Sequence, residues 1–304
     1  MKIETNTYDS IGYSYNKAIS WMEDIGIKVS SGRTKHYLQV MNYWRDNYKS
    51  ASDTIAKNIF PDFVSSVSEM DAFIKIYQAF KDEPLDNLSS IITKLQKGVN
   101  GPLNAENETP KTTEARNLIF EALVAAKFHN HAQNLSTILT ASTDTAVKYK
   151  NKKIWIECKR VTSEKNLENN IRKASNQLGK QLNKKNGKKF NLGNKGLVAL
   201  DFSKILHSGD HLLVKPNDEE LLDSVAKITE TFIAQHSSLW NRIFDTKNKR
   251  IVGTLVHFST MATSEERNLL VIVSDWGVNP KESTSKYNNA LLRNIASTIN
   301  NIKT

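Results

Sequence analysis

Through the first hundred positions, apolar residues recur at spacings of three and four. Tyr13 to Ile27, Thr34 to Tyr48, Asp62 to Phe80 and Leu85 to Leu95 each carry an apolar stripe of helical period. A further short helix, capped by Ser52 or Asp53, is expected to end before Pro61. Asn100-Gly101-Pro102 and the polar stretch to Thr113 break this pattern. The pattern then alternates. A helix over Glu114 to Phe128 precedes strands at Ala146 to Tyr149 and Ile154 to Cys158. A polar helix follows from Asn166 to Leu182, then a glycine- and lysine-rich loop. Leu197 to Phe202 reads as a buried strand, Glu219 to Phe244 as a long helix, and Ile251 to Phe258 and Leu269 to Ser274 as two more strands. Strands interleaved with helices predict an α/β layered core. The expected division is a helical domain over residues 1–104 and an α/β domain over 105–304.

Composition adds limits. The chain has 304 residues, 39% hydrophobic and 24% charged, enough apolar material for a sizeable core. Its single cysteine, Cys158, excludes an intrachain disulfide framework and a cysteine-based zinc cluster. Met1 to Ser10 is polar and unlike a signal peptide, and runs such as Leu269 to Val273 are too short to span a bilayer. A soluble, cytoplasmic protein with no membrane partner is the expectation.

Charge changes the picture more, because it is concentrated. Lys148 to Lys189 holds fourteen Lys and Arg against three acids, a net of +11, whereas the whole chain carries +10. Everything outside this window therefore sums to −1. Such a stretch is either a solvated lysine-rich face or the footprint of a polyanionic partner, for which nucleic acid is the usual case.

The same window contains Ile154-Trp155-Ile156-Glu157-Cys158-Lys159. Strand alternation puts Trp155, Glu157 and Lys159 on one face, and Ile154, Ile156 and Cys158 on the other. A two-residue turn at Lys150-Asn151 would set Asp144 opposite Glu157, with Cβ atoms about 5 Å apart; a register slip of one would undo this. Two opposed carboxylates repel each other, and a divalent cation relieves that repulsion. Magnesium prefers such oxygen ligands. Glu121 flanks the apolar stripe of its helix (Leu118, Ala122, Ala125), as a boundary glutamate or as a third acid aimed at the sheet edge.

A helix with an acid, then Asp144, a short hairpin, Glu157-Cys158-Lys159 at a strand end and a following helix together resemble the core of the PD-(D/E)XK (restriction-endonuclease-like) nuclease superfamily over residues 114–202. Thr143 stands where the proline of that motif would be. The resemblance implies an αβββαβ core with a mixed sheet, whose first strand falls within His131 to Ala141. It implies that Asp144 and Glu157, with Glu121, bind Mg²⁺ or Mn²⁺, and that Lys159 assists the attacking water. It also implies metal-dependent hydrolysis of phosphodiesters, of DNA above all, in bacterial antiviral defence or mobile-element processing. Arg160, Arg172, Lys173, Gln177, Lys180 and Lys184 are the nucleic-acid-binding candidates. A protein partner or a homodimer is a further expectation. Two rivals stand beside this reading: a catalytically inactive nucleic-acid-binding protein, and a protein whose helical part binds a partner while the basic stretch is only surface.

Other leads carry less. His129-Asn130-His131 spells HNH, but three adjacent residues cannot form that ββα site. Pro61-Asp62 has no Glu-x-Lys on a nearby strand, Asp245-Thr246-Lys247 lies in a polar stretch, and His207 and His211 flank a turn. No phosphate-binding GxxxxGK[ST] loop and no HExxH is present. The aromatic and basic stretch Lys35 to Lys49 reads as helix core with a charged rim, against base stacking as the alternative.

Overall fold

The computed structural model describes residues 3, 6–29, 31–50, 52–103, 108–109, 112–129, 135–139, 144–149, 152–183, 185–186, 189–190, 193–206, 212–267 and 270–300. Four helices open the chain: α1 (Tyr8–Asp24), α2 (Arg33–Asn47), α3 (Asp53–Phe80) and, after a 3-10 turn at Leu85–Asn87, α4 (Ser89–Gly98). There follow α5 (Glu114–Lys127), β1 (Leu135–Thr137), β2 (Thr145–Tyr149), β3 (Lys152–Arg160) and α6 (Glu164–Leu182). A short ribbon of β4 (Lys185–Asn186) and β5 (Lys189–Phe190) leads to β6 (Lys195–Asp201), α7 (Ser203–Leu206) and β7 (Leu213–Lys215). The chain continues through α8 (Asp218–Lys247), β8 (Ile251–Ser264), β9 (Val271–Pro280) and α9 (Lys286–Asn300). The architecture is α/β, with a mixed seven-stranded sheet among the described residues.

The sheet runs β1-β2-β3-β6-β8-β7, with β9 also paired to β8. β1, β2 and β3 are antiparallel neighbours, while β3, β6 and β8 run parallel. β3 is covered on both faces, so Ile154, Trp155, Ile156 and Cys158 are all buried and the centre of the strand is apolar on both sides. One face packs against α6 and α8 through Trp155, Ile171, Leu178, Val198, Val225 and Phe244. The other meets α5 and α9 through Phe120, Val124, Ile154, Ile156, Leu292 and Ile295.

Helix α5 joins the two halves of the molecule. Phe120, Val124 and Phe128 face the sheet. Ile119, Ala122 and Ala125 enter the core formed by α1 to α4, together with Tyr15, Phe73, Ile91 and Leu95. Its apolar residues thus cover more than one stripe, as expected for a helix buried between two layers.

Several elements differ from the sequence pattern. Pro61 does not end a short helix: α3 runs unbroken for 28 residues, capped by Ser52, whose hydroxyl accepts from the Ile55 N–H at 3.4 Å. Proline removes one helical hydrogen bond, but the turn before it is largely exposed, so water can serve the freed carbonyl. The predicted helix from Leu85 is a 3-10 turn followed by α4, and the lysine-rich loop contains the β4–β5 ribbon. β8 and β9 extend well past the apolar runs because each pairs with the other from Gly253–Pro280 to Ala262–Val271. Helix α9 was not among the expected elements; its Leu292, Ile295 and Ile299 are buried against the sheet.

Candidate active site

Asp144, Glu157 and Lys159 meet where the β2–β3 hairpin ends. The strands pair Thr145 with Ile156 and Tyr149 with Lys152. One step further in that register sets Asp144, just before β2, level with Glu157. Lys150 and Asn151, where a turn was expected, Thr143, and most of the 131–141 segment lie outside the described residues. β1 occupies part of that segment, at Leu135–Thr137.

The Asp144 carboxylate is gripped by the strand it faces. Its Oδ2 accepts the Cys158 backbone N–H at 2.8 Å and the Lys159 ammonium at 3.4 Å. Lys159 Nζ also lies 3.7 Å from Glu157 Oε2 and donates to the Cys158 carbonyl at 2.9 Å. One ammonium therefore stands between two carboxylates. Burial works against that ammonium, but the Asp144 and Glu157 carboxylates outweigh it and raise its pKa. Lys159 is held as a cation and hydrogen-bond donor, not as a base.

Glu157 is only 2% exposed, and its Oε2 has no hydrogen-bond donor among the described residues. Burial, then the neighbouring Asp144 carboxylate, push its pKa up to about 9. A buried acid beside another acid holds a proton unless a cation replaces it. Cys158, fully enclosed, has its thiol pKa raised by burial and by the Asp144 and Glu121 carboxylates, which keeps it an unreactive core residue.

Glu121, on α5, faces this cluster. Burial and Asp144 raise its pKa, while Lys94 opposes them. Lys94 Nζ donates to Glu121 Oε2, and both side chains are almost enclosed. Lys94 comes from α4 and was not anticipated. The one local signal is that it flanks the Ile91–Leu95 stripe of its helix as Glu121 flanks the stripe of α5, with opposite charge.

The oxygen-only set of Asp144, Glu157 and the Cys158 carbonyl suits a hard divalent cation, and Glu157 Oε2, buried and accepting no hydrogen bond from the described residues, is the atom such an ion would satisfy. No group of three or more His, Cys, Asp or Glu among the described residues is disposed to hold a metal ion. Glu121 is engaged by Lys94. Holding Mg²⁺ or Mn²⁺ would therefore rest on the Asp144–Glu157 pair, with water or phosphate completing the shell.

Arg160 points the other way from Lys159. Its guanidinium contacts Glu108 at 2.8 Å and Asp201 at 3.3 Å, and Asp201 in turn meets His257 Nδ1 at 3.3 Å. Arg160, Asp201 and His257 are register partners across β3, β6 and β8. Glu108 also takes Lys204 at 3.4 Å. Arg160 is thus committed to carboxylates within the chain.

On α6 the apolar residues Leu167, Ile171, Ala174, Leu178 and Leu182 are buried, and Lys165, Arg172, Lys173, Gln177 and Lys180 are exposed. Arg172 pairs with Glu168 at 2.6 Å. At 1.5 Å per residue, Arg172 stands about 12 Å and Lys180 about 24 Å along the axis from the start of the helix at Glu164. Because α6 returns the chain from the end of β3 to the start of the parallel strand β6, its axis runs away from the strand end that carries the carboxylates. Lys184 lies outside the described residues.

No family model, no curated protein and no solved structure matches this chain. Among the described residues, no helix is long and apolar enough to cross a membrane.

Proposed function

We propose that the chain is a metal-dependent phosphodiesterase of the PD-(D/E)XK kind, acting on nucleic acid and on DNA above all. One observation carries this reading: Asp144 and Glu157 converge at the end of β3 around the Lys159 ammonium, with one buried Glu157 oxygen lacking a donor. The run of α5, β1, β2, β3, α6 and β6 follows the restriction-endonuclease-like order, interrupted by the β4–β5 ribbon.

Bound Mg²⁺ or Mn²⁺ would supply an activated water and charge relief at phosphorus. The protein's own contribution is positional. Asp144 is fixed by the Cys158 N–H, and Lys159 presents an ammonium that can donate to a phosphoryl oxygen or to the attacking water. The exposed cations of α6, Lys165 to Lys180, spread over about 22 Å and suit several successive backbone phosphates, which rise about 3.4 Å per step of one strand.

Supercoiled plasmid, linear duplex and single-stranded RNA, incubated with Mg²⁺, Mn²⁺ or EDTA, test the reading. Metal-dependent cleavage is expected on DNA. It should fall to background in Asp144→Asn, and by about 10²–10³-fold in Lys159→Ala. Cleavage that survives both substitutions would show that the chemistry lies elsewhere. A Lys165→Ala/Lys173→Ala protein should keep its metal dependence and bind duplex more weakly, with a salt slope smaller by about 2. An unchanged slope would remove α6 from the substrate path.

A further inference from the structure

Helix α4 delivers Lys94 to the carboxylates with its position set by packing. Ile91 and Leu95, on either side of Lys94, are buried in the core they share with Ile119, Ala122 and Ala125 of α5. One turn on, Gly98 lies so close to α5 that a Cβ there would come within 2.5 Å of Ile119 Cδ1. The two helices therefore meet in a close crossing, and their separation is set at Gly98. The side chains of Lys94 and Glu121 are only 10% and 11% exposed, so water screens the pair little.

The charge balance around Asp144 is then three carboxylates (Glu121, Asp144, Glu157) against two ammonium groups (Lys94, Lys159). With Glu157 ionised this leaves a net −1, so a single divalent cation at Asp144 and Glu157 already takes the cluster to +1. A second, at Glu121, would have to displace Lys94 from a buried contact. Lysine is suited to the role because its ammonium is a compact point charge on a long stem.

We infer that Lys94, supplied by the helical part of the chain, occupies the cation position at Glu121 and so restricts the centre to a single metal ion held by Asp144 and Glu157. Lys94 is a positioning residue: it fixes Glu121 and touches no reacting atom. The inference rests on the metal-dependent reading above. It also gives the helical part a role in the chemistry, because removing α4 removes one of the two ammonium groups around the carboxylates.

Manganese titration calorimetry and thermal melts on the full chain test this without any cleavage assay. Three proteins are needed: wild type, Lys94→Met, and Lys94→Met/Glu121→Gln. The wild type is expected to bind one equivalent of Mn²⁺, lost in Asp144→Asn. Lys94→Met should take up a second equivalent and melt several degrees higher when Mn²⁺ is about a hundredfold above its dissociation constant, a rise beyond that of the wild type. The double variant, with neither charge, should return to one equivalent. If Lys94→Met is unfolded without metal, Mn²⁺ should restore its ellipticity; a chain that stays unfolded at saturating Mn²⁺ overturns the inference. One equivalent in all three proteins also overturns it while leaving the metal reading intact. A wild type silent toward Mn²⁺ in both measurements removes the metal reading and this inference together.

Discussion

Glu157→Gln is expected to abolish metal-dependent cleavage and, in EDTA above pH 8, to make the protein more stable than the wild type. The Glu157 carboxyl, raised by burial and by Asp144, titrates near 9 in the folded chain, against an ordinary value of 4.5. The folded state therefore binds this proton more tightly than the unfolded state. Between those two values, stability falls as pH rises, because unfolding releases a proton that the folded chain still holds, and that release becomes more favourable with each step in pH. Glutamine keeps the shape and removes the charge. Relief of about 1–3 kcal/mol at pH 8–9 would raise the thermal midpoint by a few degrees. Melts of wild type and Glu157→Gln from pH 5 to 9.5 in EDTA decide it: the curves should converge near pH 5 and separate as pH rises. Parallel curves would mean that Glu157 ionises as an ordinary surface glutamate. Stability given up at neutral pH for a group that binds a cation is the expected signature of a functional carboxylate.

The hairpin was legible in the sequence because strand alternation and a two-residue turn are local rules. A two-residue turn expected at Lys150-Asn151 predicts the pairing of Thr145 with Ile156 that the strands adopt, and the position of Asp144 follows. Helix α5 was legible for the same reason. What escaped depends on contacts distant in the chain. Lys94 and Glu121 are 27 positions apart, and their meeting depends on how α4 crosses α5, which Gly98 controls and no periodicity reveals. Arg160 looked like a phosphate contact because it follows Lys159 in a basic window. The adjacent position on a strand faces the opposite side, where Glu108 and Asp201 take it up. Pro61 misled because proline is a local helix signal, whereas α3 is held by the burial of Phe63, Val67, Met70 and Phe73 further along.

The largest loss of stability is expected from Glu69→Ala, outside the Asp144, Glu157 and Lys159 cluster. Glu69 on α3 lies between two buried guanidinium groups, Arg33 on α2 and Arg116 on α5. Tyr37 adds a hydroxyl 3.3 Å from Nη1 of Arg33 and Nη2 of Arg116. Arg116 also donates to the carbonyls of Pro102 at 3.1 Å and Leu103 at 3.0 Å, so the network ties down the chain entering α5. Burial opposes the Glu69 charge, yet Arg116 and Arg33 outweigh it and lower its pKa. Its stabilising contribution is therefore complete at neutral pH and lost as pH falls below the ordinary glutamate range. Alanine would leave the Arg33 guanidinium enclosed without a carboxylate and Arg116 with only Glu108, 3.9 Å from its Nη1, at a cost of about 3–5 kcal/mol. Arg116 lies on the helix whose Phe120 and Val124 cover the sheet, so the damage should not stay among α1 to α4. Denaturant unfolding followed by far-ultraviolet ellipticity and by tryptophan fluorescence should show one shared transition at a lower midpoint. Trp21 and Trp44 report on the helical part, and Trp155, Trp240 and Trp276 on the sheet part. A loss below about 0.5 kcal/mol would place the network among ion pairs that add little. Two separated transitions would mean that α5 does not join the two layers into one cooperative unit.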